Sequence, residues 1–354
     1  MKILQLIDSL NIGGAERMAV NMANAFCDDS IDNVLVCTRV KGDLNHFLPN
    51  KTAFYELNKN STFDIFAFFS LYKLVKKENP TIIHAHSSSI YWSYLIKLLF
   101  PKKILIWHDH NGNRKNERNQ ILKKILHKVN GIVVVNKNLF DWAKKEIPNK
   151  HVSLINNFPY LNLEKSIDKN GHIILHLANL RHPKDHLTLI ESIKILKTKT
   201  NVQFQVLCAG YDSFDKYSKL VKAKIIEYNL ETEIKIIGSV IDTTSLLEQA
   251  SIGVLSSVSE GLPVSLLEYG LAALPVVVTD VGQCVEVVGR GDFGLVVPPS
   301  NPAQLAEAIE WHLNNREQSI YMGISFQNHI EQEYGAVKFL HEYVSFVKVF
   351  NGSL

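Results

Sequence analysis

The chain has 354 residues, of which 46% are hydrophobic and 21% are charged, with a formal net charge of +3. This composition is that of an ordinary soluble globular protein, and the length exceeds what one hydrophobic core usually serves, so we expect two domains. The weak net charge argues against nucleic acid as the main partner.

The sequence predicts a soluble, cytoplasmic protein. The opening "MKILQLIDSL" has no small-residue cleavage site, and "IYWSYLIKLLFPKKILIW" is interrupted by lysines and a proline, so neither stretch is typical of a signal peptide or a membrane span. No C-x-x-C pair occurs, and we expect buried thiols of a reducing compartment at Cys27, Cys37, Cys208 and Cys284.

Short apolar runs alternate with longer helical patterns along the whole chain. Continuously hydrophobic strands separated by helices are typical of parallel sheets covered on both faces. The first half contains "KILQLI", "NVLVCTR", "TIIHAH", "KILIWH", "GIVVVN" and "HVSLIN". The second half contains "HIILHLAN", "VQFQVLCAG", "EIKIIG", "SIGVLSS", "LPVVVTD" and "FGLVVPP". Each half therefore predicts its own doubly wound sheet.

A polar stretch, "NNFPYLNLEKSIDKNG" (156–171), separates the two halves and predicts the linker. We place an N-terminal Rossmann-like domain at 1–165, a second such domain at 166–333 and a terminal helix at 334–354. Ligands of doubly wound domains bind at the carboxyl ends of the strands, where motifs are expected to cluster.

The first motif is "SLNIGGAERMAV", in which Gly13 and Gly14 follow a strand and open a helix. Glycines let backbone amides approach a ligand closely, and a helix N-terminus favours an anion. A plain strand-to-helix turn explains the residues equally well. The G-x-G-x-x-G dinucleotide fingerprint is absent.

Two H-x-H pairs stand at predicted strand ends: His84 with His86, and His108 with His110. Period 2 puts the members of each pair on one face of the sheet. A zinc site is conceivable, but a polar or catalytic lining is favoured because structural zinc sites usually show cysteine or a regular spacing on one element. For His84, a hydrogen bond within the sheet is as good an explanation as function.

In the second half, the loop "LRHPKDH" places Arg181 and Lys184 between a strand and a helix, where cations can bind phosphates or simply be solvated. Gly238 ends the strand "IKIIG", where backbone hydrogen bonds to a flat ring or a plain turn are both open.

The stretch "SVSEGLPVSLLEYG" predicts a loop followed by a helix that starts near Pro263 and runs to about Ala273. The amides of Val264, Ser265 and Leu266 would be free to bind an anion. Glu260 in the loop and Glu268 in the helix could each bind a diol. A phosphate held between two such carboxylates describes a nucleotide sugar, although Glu268 is also explained by the helix dipole.

The two glutamates with seven residues between them, followed by "LPVVVTDVGQCVEVV" and "GLVVPPSNPAQLAEAI", resemble the retaining glycosyltransferases of family 4, which have the GT-B fold. The "GGAE" loop and "INNF" occur in the same order as in that family. The resemblance implies two domains facing across a cleft, with the last helix returning to the N-terminal domain.

The resemblance also implies the role of each site residue. Glu268 would bind the ribose, and Glu260 the donor sugar. The amides of Gly261 and Leu262 would contact the sugar hydroxyls. The diphosphate would contact Lys184, Val264, Ser265, Leu266, Gly13 and Gly14, with Arg181 as a further candidate. Gly238 and Val240 would border the base, and His110, or its rival His108, would be the active-site histidine.

The sequence departs from the family pattern at two notable positions. Asn179 stands where an arginine is usual, which leaves the phosphate contacts open, and Ala273 replaces a glycine, which we interpret as a change of packing.

The implied reaction moves a sugar from a nucleotide-diphosphate sugar, by default a UDP-sugar, to a hydroxyl of a glycan or lipid-linked glycan, without a metal or other cofactor. Basic clusters in the first half suggest peripheral contact with the anionic inner face of a membrane, although solvated helix faces explain them equally well. Two alternatives remain open: a non-catalytic nucleotide-sugar-binding subunit and a nucleotide-sugar epimerase of the same fold.

Overall fold

A computed structural model describes residues 1–110, 119–161, 163 and 172–351 of the chain. The chain forms two compact units. Unit 1 comprises Met1–Tyr160 and Ala336–Leu354, and unit 2 comprises Leu161–Gly335. The predicted boundary at 165/166 and most of the predicted linker lie outside the described residues.

Unit 1 is built on a seven-stranded parallel sheet with the order β3-β2-β1-β4-β5-β6-β7. Its strands are β1 (Lys2–Ile7), β2 (Asp32–Cys37), β3 (Ala53–Glu56), β4 (Ile82–His86), β5 (Ile104–Asp109), β6 (Gly131–Val134) and β7 (His151–Leu154). Its connecting helices are α1 (Gly14–Asp28), α2 (Ile65–Glu78), α3 (Ile90–Leu99), α4 (Gln120–Leu126) and α5 (Lys137–Glu146). The strand order reverses beside β1, which is the pattern of a doubly wound sheet.

Unit 2 repeats this plan with six parallel strands in the order β10-β9-β8-β11-β12-β13. Its strands are β8 (Ile173–Leu177), β9 (Gln205–Ala209), β10 (Ile234–Gly238), β11 (Ile252–Leu255), β12 (Val276–Thr279) and β13 (Leu295–Val297). Its helices are α6 (His186–Lys199), α7 (Lys216–Glu227), α8 (Thr244–Gln249), α9 (Val264–Leu271), α10 (Cys284–Val287), α11 (Pro302–Asn314) and α12 (Arg316–Glu333). The predicted α/β class with two doubly wound sheets is confirmed.

The last helix, α13 (Ala336–Asn351), returns to unit 1 as predicted and packs beside α1. Its Phe346 is buried and lies parallel to the ring of His151 at 5.3 Å between centroids. A Cβ atom on Gly131 of β6 would lie 2.6 Å from the Cζ atom of Phe346, so the helix needs a glycine beneath it. The sheet of unit 1 is therefore covered by α1 and α13 on one face and by α2 to α5 on the other.

Helix α9 is held closely against its surroundings in unit 2. The ring of Tyr269 fills the space over Gly253 of β11, where a Cβ atom would lie 2.6 Å from the ring. On the other side of α9, a Cβ atom on Gly270 would lie 2.3 Å from the Cγ1 atom of Ile330 in α12, so only glycine allows this close contact. Two glycines thus fix the height of α9 above the sheet and its distance from α12.

Two local features differ from the sequence analysis. Strand β3 was not predicted, because its four residues are half-buried and contain no β-branched side chain. Ala273 has a φ of +52°, which is the left-handed region that favours glycine, so the departure at this position is a matter of backbone conformation and not of packing.

The packing of α13 leads to a stability prediction. Phe346→Ala should lower the free energy of unfolding by about 3–5 kcal/mol, because it removes a buried aromatic ring and leaves a cavity over Gly131. Val349→Ala, on the exposed side of the same helix, is the matched control and should change it by less than about 0.5 kcal/mol. Urea unfolding measures both, and equal effects of the two variants would contradict the described docking of α13.

Candidate functional site

In unit 2, an ion pair joins two loops at the carboxyl ends of the strands. The Nζ atom of Lys184, which follows β8, lies 2.6 Å from the Oε1 atom of Glu260, which follows β11. The same carboxylate oxygen accepts a hydrogen bond of 2.6 Å from the Oγ hydroxyl of Ser257. Two residues that the sequence analysis assigned to phosphate and to sugar therefore contact each other directly.

Backbone hydrogen bonds hold these two loops together. The amide of Val258 donates to the carbonyl oxygen of Pro183 at 2.9 Å. The Oγ atom of Ser256 lies 3.1 Å from the carbonyl oxygen of Lys184 and 3.0 Å from that of Asp185. Asp185 then caps α6 through a hydrogen bond from the amide of Thr188. Lys184 is thus placed by fixed backbone on both sides.

The Glu260 loop also rests on the turn after β12. Gly282 has a φ of +54°, and a Cβ atom there would lie 2.2 Å from the carbonyl oxygen of Glu260. The next amide, of Gln283, donates to the carbonyl oxygen of Gly261 at 3.1 Å. This close approach requires glycine at position 282, and it holds Gly261 at the surface with open space beside its Cα atom.

Helix α9 begins where predicted, with Pro263 as its N-cap residue. One predicted amide is not available: the N–H of Leu266 donates to the carbonyl oxygen of Pro263 at 3.1 Å, because the first turn is tight. The expectation of a free amide at Leu266 is therefore wrong. In the part of the chain that the structure describes, no acceptor is seen for the amides of Val264 and Ser265, which lie at the positive end of the helix dipole.

The remaining unit 2 residues lie around the same strand ends. Glu268 is half-buried one turn into α9, and Leu262 and Val240 pack on the apolar cluster beneath it. Gly238 ends β10 with a φ of +85° and open space beside its Cα atom. Arg181 is exposed, whereas the side chain of Asn179 accepts a hydrogen bond from the amide of Tyr211 at 2.8 Å. Asn179 therefore has a structural role between two loops.

In unit 1, Gly13 is the N-cap residue of α1 and Gly14 is its first residue, exposed and with open space beside its Cα atom. The carboxylate of Glu16 folds back over Gly13, where its Oε2 atom would lie 2.2 Å from an added Cβ atom. Burial raises the pKa of this carboxyl group. The N-terminus of α1 thus lies beside an acid from its own first turn.

The four predicted histidines form a network of two hydrogen-bonded chains, which touch through ring contacts, on the face of the sheet that α1 and α13 cover. His84 contacts the hydroxyl of Tyr343 through Nδ1 at 2.9 Å and the Nδ1 atom of His108 through Nε2 at 3.1 Å. His86 contacts the Oε1 atom of Gln5 through Nε2 at 3.0 Å and the Nε2 atom of His110 through Nδ1 at 2.9 Å. His110 is half-buried, whereas His108 and the other two histidines are fully buried.

Sequence reasoning missed Gln5 and Tyr343. Gln5 could have been found, because it is the one uncharged polar residue in the apolar run "KILQLI" of a strand expected to be buried on both faces. Nothing in the sequence marks Tyr343, whose partner lies 259 positions earlier.

His84, His86 and His108 lie close enough to hold a metal ion, since one ligand atom from each falls within 4.8 Å of the others. Every ring nitrogen of His84 and His86 already has a hydrogen-bond partner within the network. The hydrogen bonds therefore account for the arrangement of these two rings.

Burial governs the charge of this network. It lowers the pKa of His84 to about 3 and holds the pKa of His86 and His108 well below the ordinary value, and neighbouring histidines add to the effect. The pKa of His110 is shifted in the same direction by burial. All four rings are therefore neutral at pH 7, because burial removes the water that would solvate a positively charged imidazolium.

The network predicts a loss of stability in mild acid. The unfolded chain binds a proton at each histidine below pH 6.5, but the folded network does not, so stability is complete above pH 6.5 and falls as the pH approaches the folded values. Between pH 7.5 and 5.5 each fully buried histidine contributes about 1.4 kcal/mol, or about 4 kcal/mol for His84, His86 and His108 together.

Urea unfolding at pH 7.5 and 5.5 in a Trp311→Phe background tests this, because the other three tryptophans all lie in unit 1. His84→Asn should reduce the pH dependence by about one proton, whereas His46→Asn, at an exposed histidine, should leave it unchanged. An unfolding free energy that does not fall between these pH values would contradict the neutral network.

Known proteins resemble this chain along nearly its whole length. Residues 160–326 match the family "Glycosyl transferases group 1", and residues 12–159 match "Glycosyltransferase Family 4". The "Capsular polysaccharide biosynthesis glycosyltransferase CapH" of Staphylococcus aureus is 27% identical over 289 residues, covering 76% of this chain and 78% of the relative.

A Campylobacter jejuni enzyme, "GalNAc-alpha-(1->4)-GalNAc-alpha-(1->3)-diNAcBac-PP-undecaprenol alpha-1,4-N-acetyl-D-galactosaminyltransferase", is 24% identical over 76% of each chain. The crystal structure of Anabaena Alr3699/HepE in complex with UDP superposes with a TM-score of 0.72 at 18% identity, covering 99% of this chain and all of that one. The chain belongs to the family 4 glycosyltransferases and has their GT-B fold.

Proposed function

We propose that this glycosyltransferase moves a sugar, with retention at the anomeric carbon, from a nucleotide-diphosphate sugar to a hydroxyl of a lipid-linked glycan during polysaccharide assembly. The observation that carries the proposal is the Lys184–Glu260 pair beside the N-terminus of α9. The names of the S. aureus and C. jejuni relatives support a polysaccharide product and a polyprenyl-diphosphate-linked acceptor, and the UDP in the Anabaena structure supports a UDP-sugar donor.

In this proposal the leaving diphosphate binds Lys184 and the amides of Val264 and Ser265, and exposed Arg181 reaches it from the same loop. These donors are held by fixed backbone, so they can stabilise the negative charge that develops as the sugar leaves without reorganising. The amide of Leu266, already bonded to Pro263, is not assigned a phosphate contact.

The family resemblance supports the other proposed contacts. Glu268 binds the ribose, and Glu260 binds hydroxyls of the sugar with the amides of Gly261 and Leu262. Gly238 and Val240 border the base, His110 contacts the sugar, and Gly13 and Gly14 contribute backbone to the diphosphate.

The acceptor oxygen attacks the anomeric carbon on the face from which the phosphate leaves, and the leaving phosphate oxygen takes the proton of the acceptor hydroxyl. No metal is required in this scheme.

The proposal predicts a large loss of turnover when the ion pair is broken. Lys184→Ala and Glu260→Ala should each lower kcat by on the order of 10²–10³, because a charge-stabilising or sugar-binding group is lost. Lys235→Ala, at an exposed lysine of β10, is the control and should leave kcat unchanged.

Sugar transfer from a panel of nucleotide sugars to a polyprenyl-diphosphate glycan, assayed with EDTA present, measures these rates. Wild-type turnover no faster than that of the two site variants would favour a binding subunit, whereas conversion of the donor without acceptor would favour an epimerase. Loss of wild-type activity in EDTA alone would contradict the metal-free scheme.

We also propose that unit 1 binds the anionic membrane surface that holds such an acceptor. No helix in the described part of the chain is long and apolar enough to span a bilayer. The outer faces of α2 and α3 are nevertheless apolar: Phe66 and Phe69 are 80% and 60% exposed, and Tyr91, Leu95 and Leu98 follow at helical spacing on α3.

An open groove of about 680 Å³ continues this surface between α3 and α4. Its lining is Tyr91, Tyr94, Leu95, Ile121, Lys124, Ile125, His127 and Lys128. Exposed Lys73 and Lys76 lie on α2, and the only acid within α2, α3 and α4, Glu78, is paired with Lys2 at 2.8 Å. Apolar side chains with a rim of lysines suit an anionic bilayer interface.

Vesicle sedimentation tests the membrane proposal. Phe66→Ser with Phe69→Ser should abolish most binding to vesicles that contain anionic lipid, and each of Lys73→Gln and Lys76→Gln should weaken it about fivefold, or about 1 kcal/mol. Val337→Ser, at an exposed valine of α13 on the other face of the sheet, is the control. Failure of the wild-type protein to bind anionic vesicles, or equal binding by all variants, would refute the proposal.

A further inference from the structure

We propose that Gln5 is a positioning residue that acts through His86 to fix which nitrogen of His110 carries the proton. The Nδ1 atom of His110 is thereby left as a hydrogen-bond acceptor for a hydroxyl of the bound sugar. The sugar contact rests on the proposed function, whereas the position of the proton can be tested without any substrate.

The side-chain amide of Gln5 in β1 is fully buried. Its Oε1 atom lies 3.0 Å from the Nε2 atom of His86, and an amide oxygen can only accept a hydrogen bond. The Nε2 atom of His86 must therefore carry a proton. Because this ring is fully buried and neutral, it carries no second proton, and its Nδ1 atom is an acceptor.

The acceptor at Nδ1 of His86 in turn determines the tautomer of His110. The Nε2 atom of His110 lies 2.9 Å from the Nδ1 atom of His86, so it has to be the donor. The two ring planes are inclined by only 23° and their centroids are 5.2 Å apart, so the rings meet edge to edge, as a hydrogen bond between ring nitrogens requires. A neutral His110 then has a bare Nδ1 atom, for which the described residues offer no partner. A buried acceptor without a partner is costly, and a sugar hydroxyl would satisfy it.

Gln5 is the group that sets this direction. The other arm of the network ends at the hydroxyl of Tyr343, which both donates and accepts, so His84 and His108 can take either tautomer. Rotation of the Gln5 amide by half a turn would place its NH₂ group against His86 and reverse both tautomers. The two orientations of the amide therefore predict different proton positions on His110: Nε2 in the described orientation and Nδ1 in the rotated one.

The tautomers can be read directly by long-range ¹H–¹⁵N correlation in protein labelled with ¹⁵N-histidine, with signals assigned from His86→Asn and His110→Asn. We expect both rings to carry the proton on Nε2. Gln5→Met removes the acceptor at similar side-chain length and should leave His110 as a mixture of tautomers, whereas His46→Asn, at an exposed histidine outside these hydrogen bonds, should preserve the wild-type state. An Nδ1 proton on His110 in the wild type, or an unchanged His110 in Gln5→Met, would overturn the inference.

The sugar contact has its own readout. Gln5→Met should lower kcat/KM for the donor by about fivefold, as expected for one hydrogen bond, whereas His46→Asn should leave it unchanged. If the tautomer shifts in Gln5→Met but the rate does not, the contact between His110 and the sugar is wrong. If the wild type transfers no sugar from any donor, the proposed function fails, and the NMR result alone decides the role of Gln5.

Discussion

The hydroxyl group of Tyr269 holds the functional edge of unit 2 in place. It accepts a hydrogen bond of 2.6 Å from the amide of Leu177 and lies 3.0 Å from the carbonyl oxygen of Leu175. Its fully buried ring packs against Gly253. Helix α9 cannot slide or rotate without leaving these polar groups unpaired in the core, which is costly. The start of that helix and its residue Glu268 take their positions from this anchor, whereas the Glu260 loop is held by its contacts with Pro183 and Gly282.

Charged groups of the protein occupy both places where an anion is proposed to bind. Lys184 is neutralised by Glu260 in unit 2, and the carboxylate of Glu16 folds over Gly13 in unit 1. Under the proposed function, an anion at Lys184 has to compete with Glu260, and an anion at Gly14 has to pass the carboxylate of Glu16. Such competition lowers affinity for a free anion, because the protein's own carboxylate has to be displaced. It favours a ligand that also offers hydroxyl groups to Glu260, as a nucleotide sugar does.

The sequence predicted what depends on local pattern. Twelve of the described strands follow from continuous apolar runs, and the start of α9 follows from Pro263. Strand β3 has no such signal. Contacts over long separations were not predictable: Lys184 and Glu260 are 76 positions apart, and the bond from Leu266 to Pro263 depends on how tightly one turn winds. The positive φ angle of Ala273 was not predictable either, because the residue type alone does not reveal the backbone conformation that the fold imposes.

Tyr343 and Phe346 also have a consequence for how the chain is made. They complete the core of unit 1, yet the 175 residues of unit 2 (161–335) are synthesised between Tyr160 and the helix that carries them. At about 5–20 residues per second, a ribosome needs roughly 10 to 35 s for that interval. During this time the nascent sheet exposes the apolar face that α13 will cover. Unit 2 can finish folding before α13 has been synthesised. Unit 1, which is incomplete until then, is the part of the nascent chain that we expect chaperones to bind.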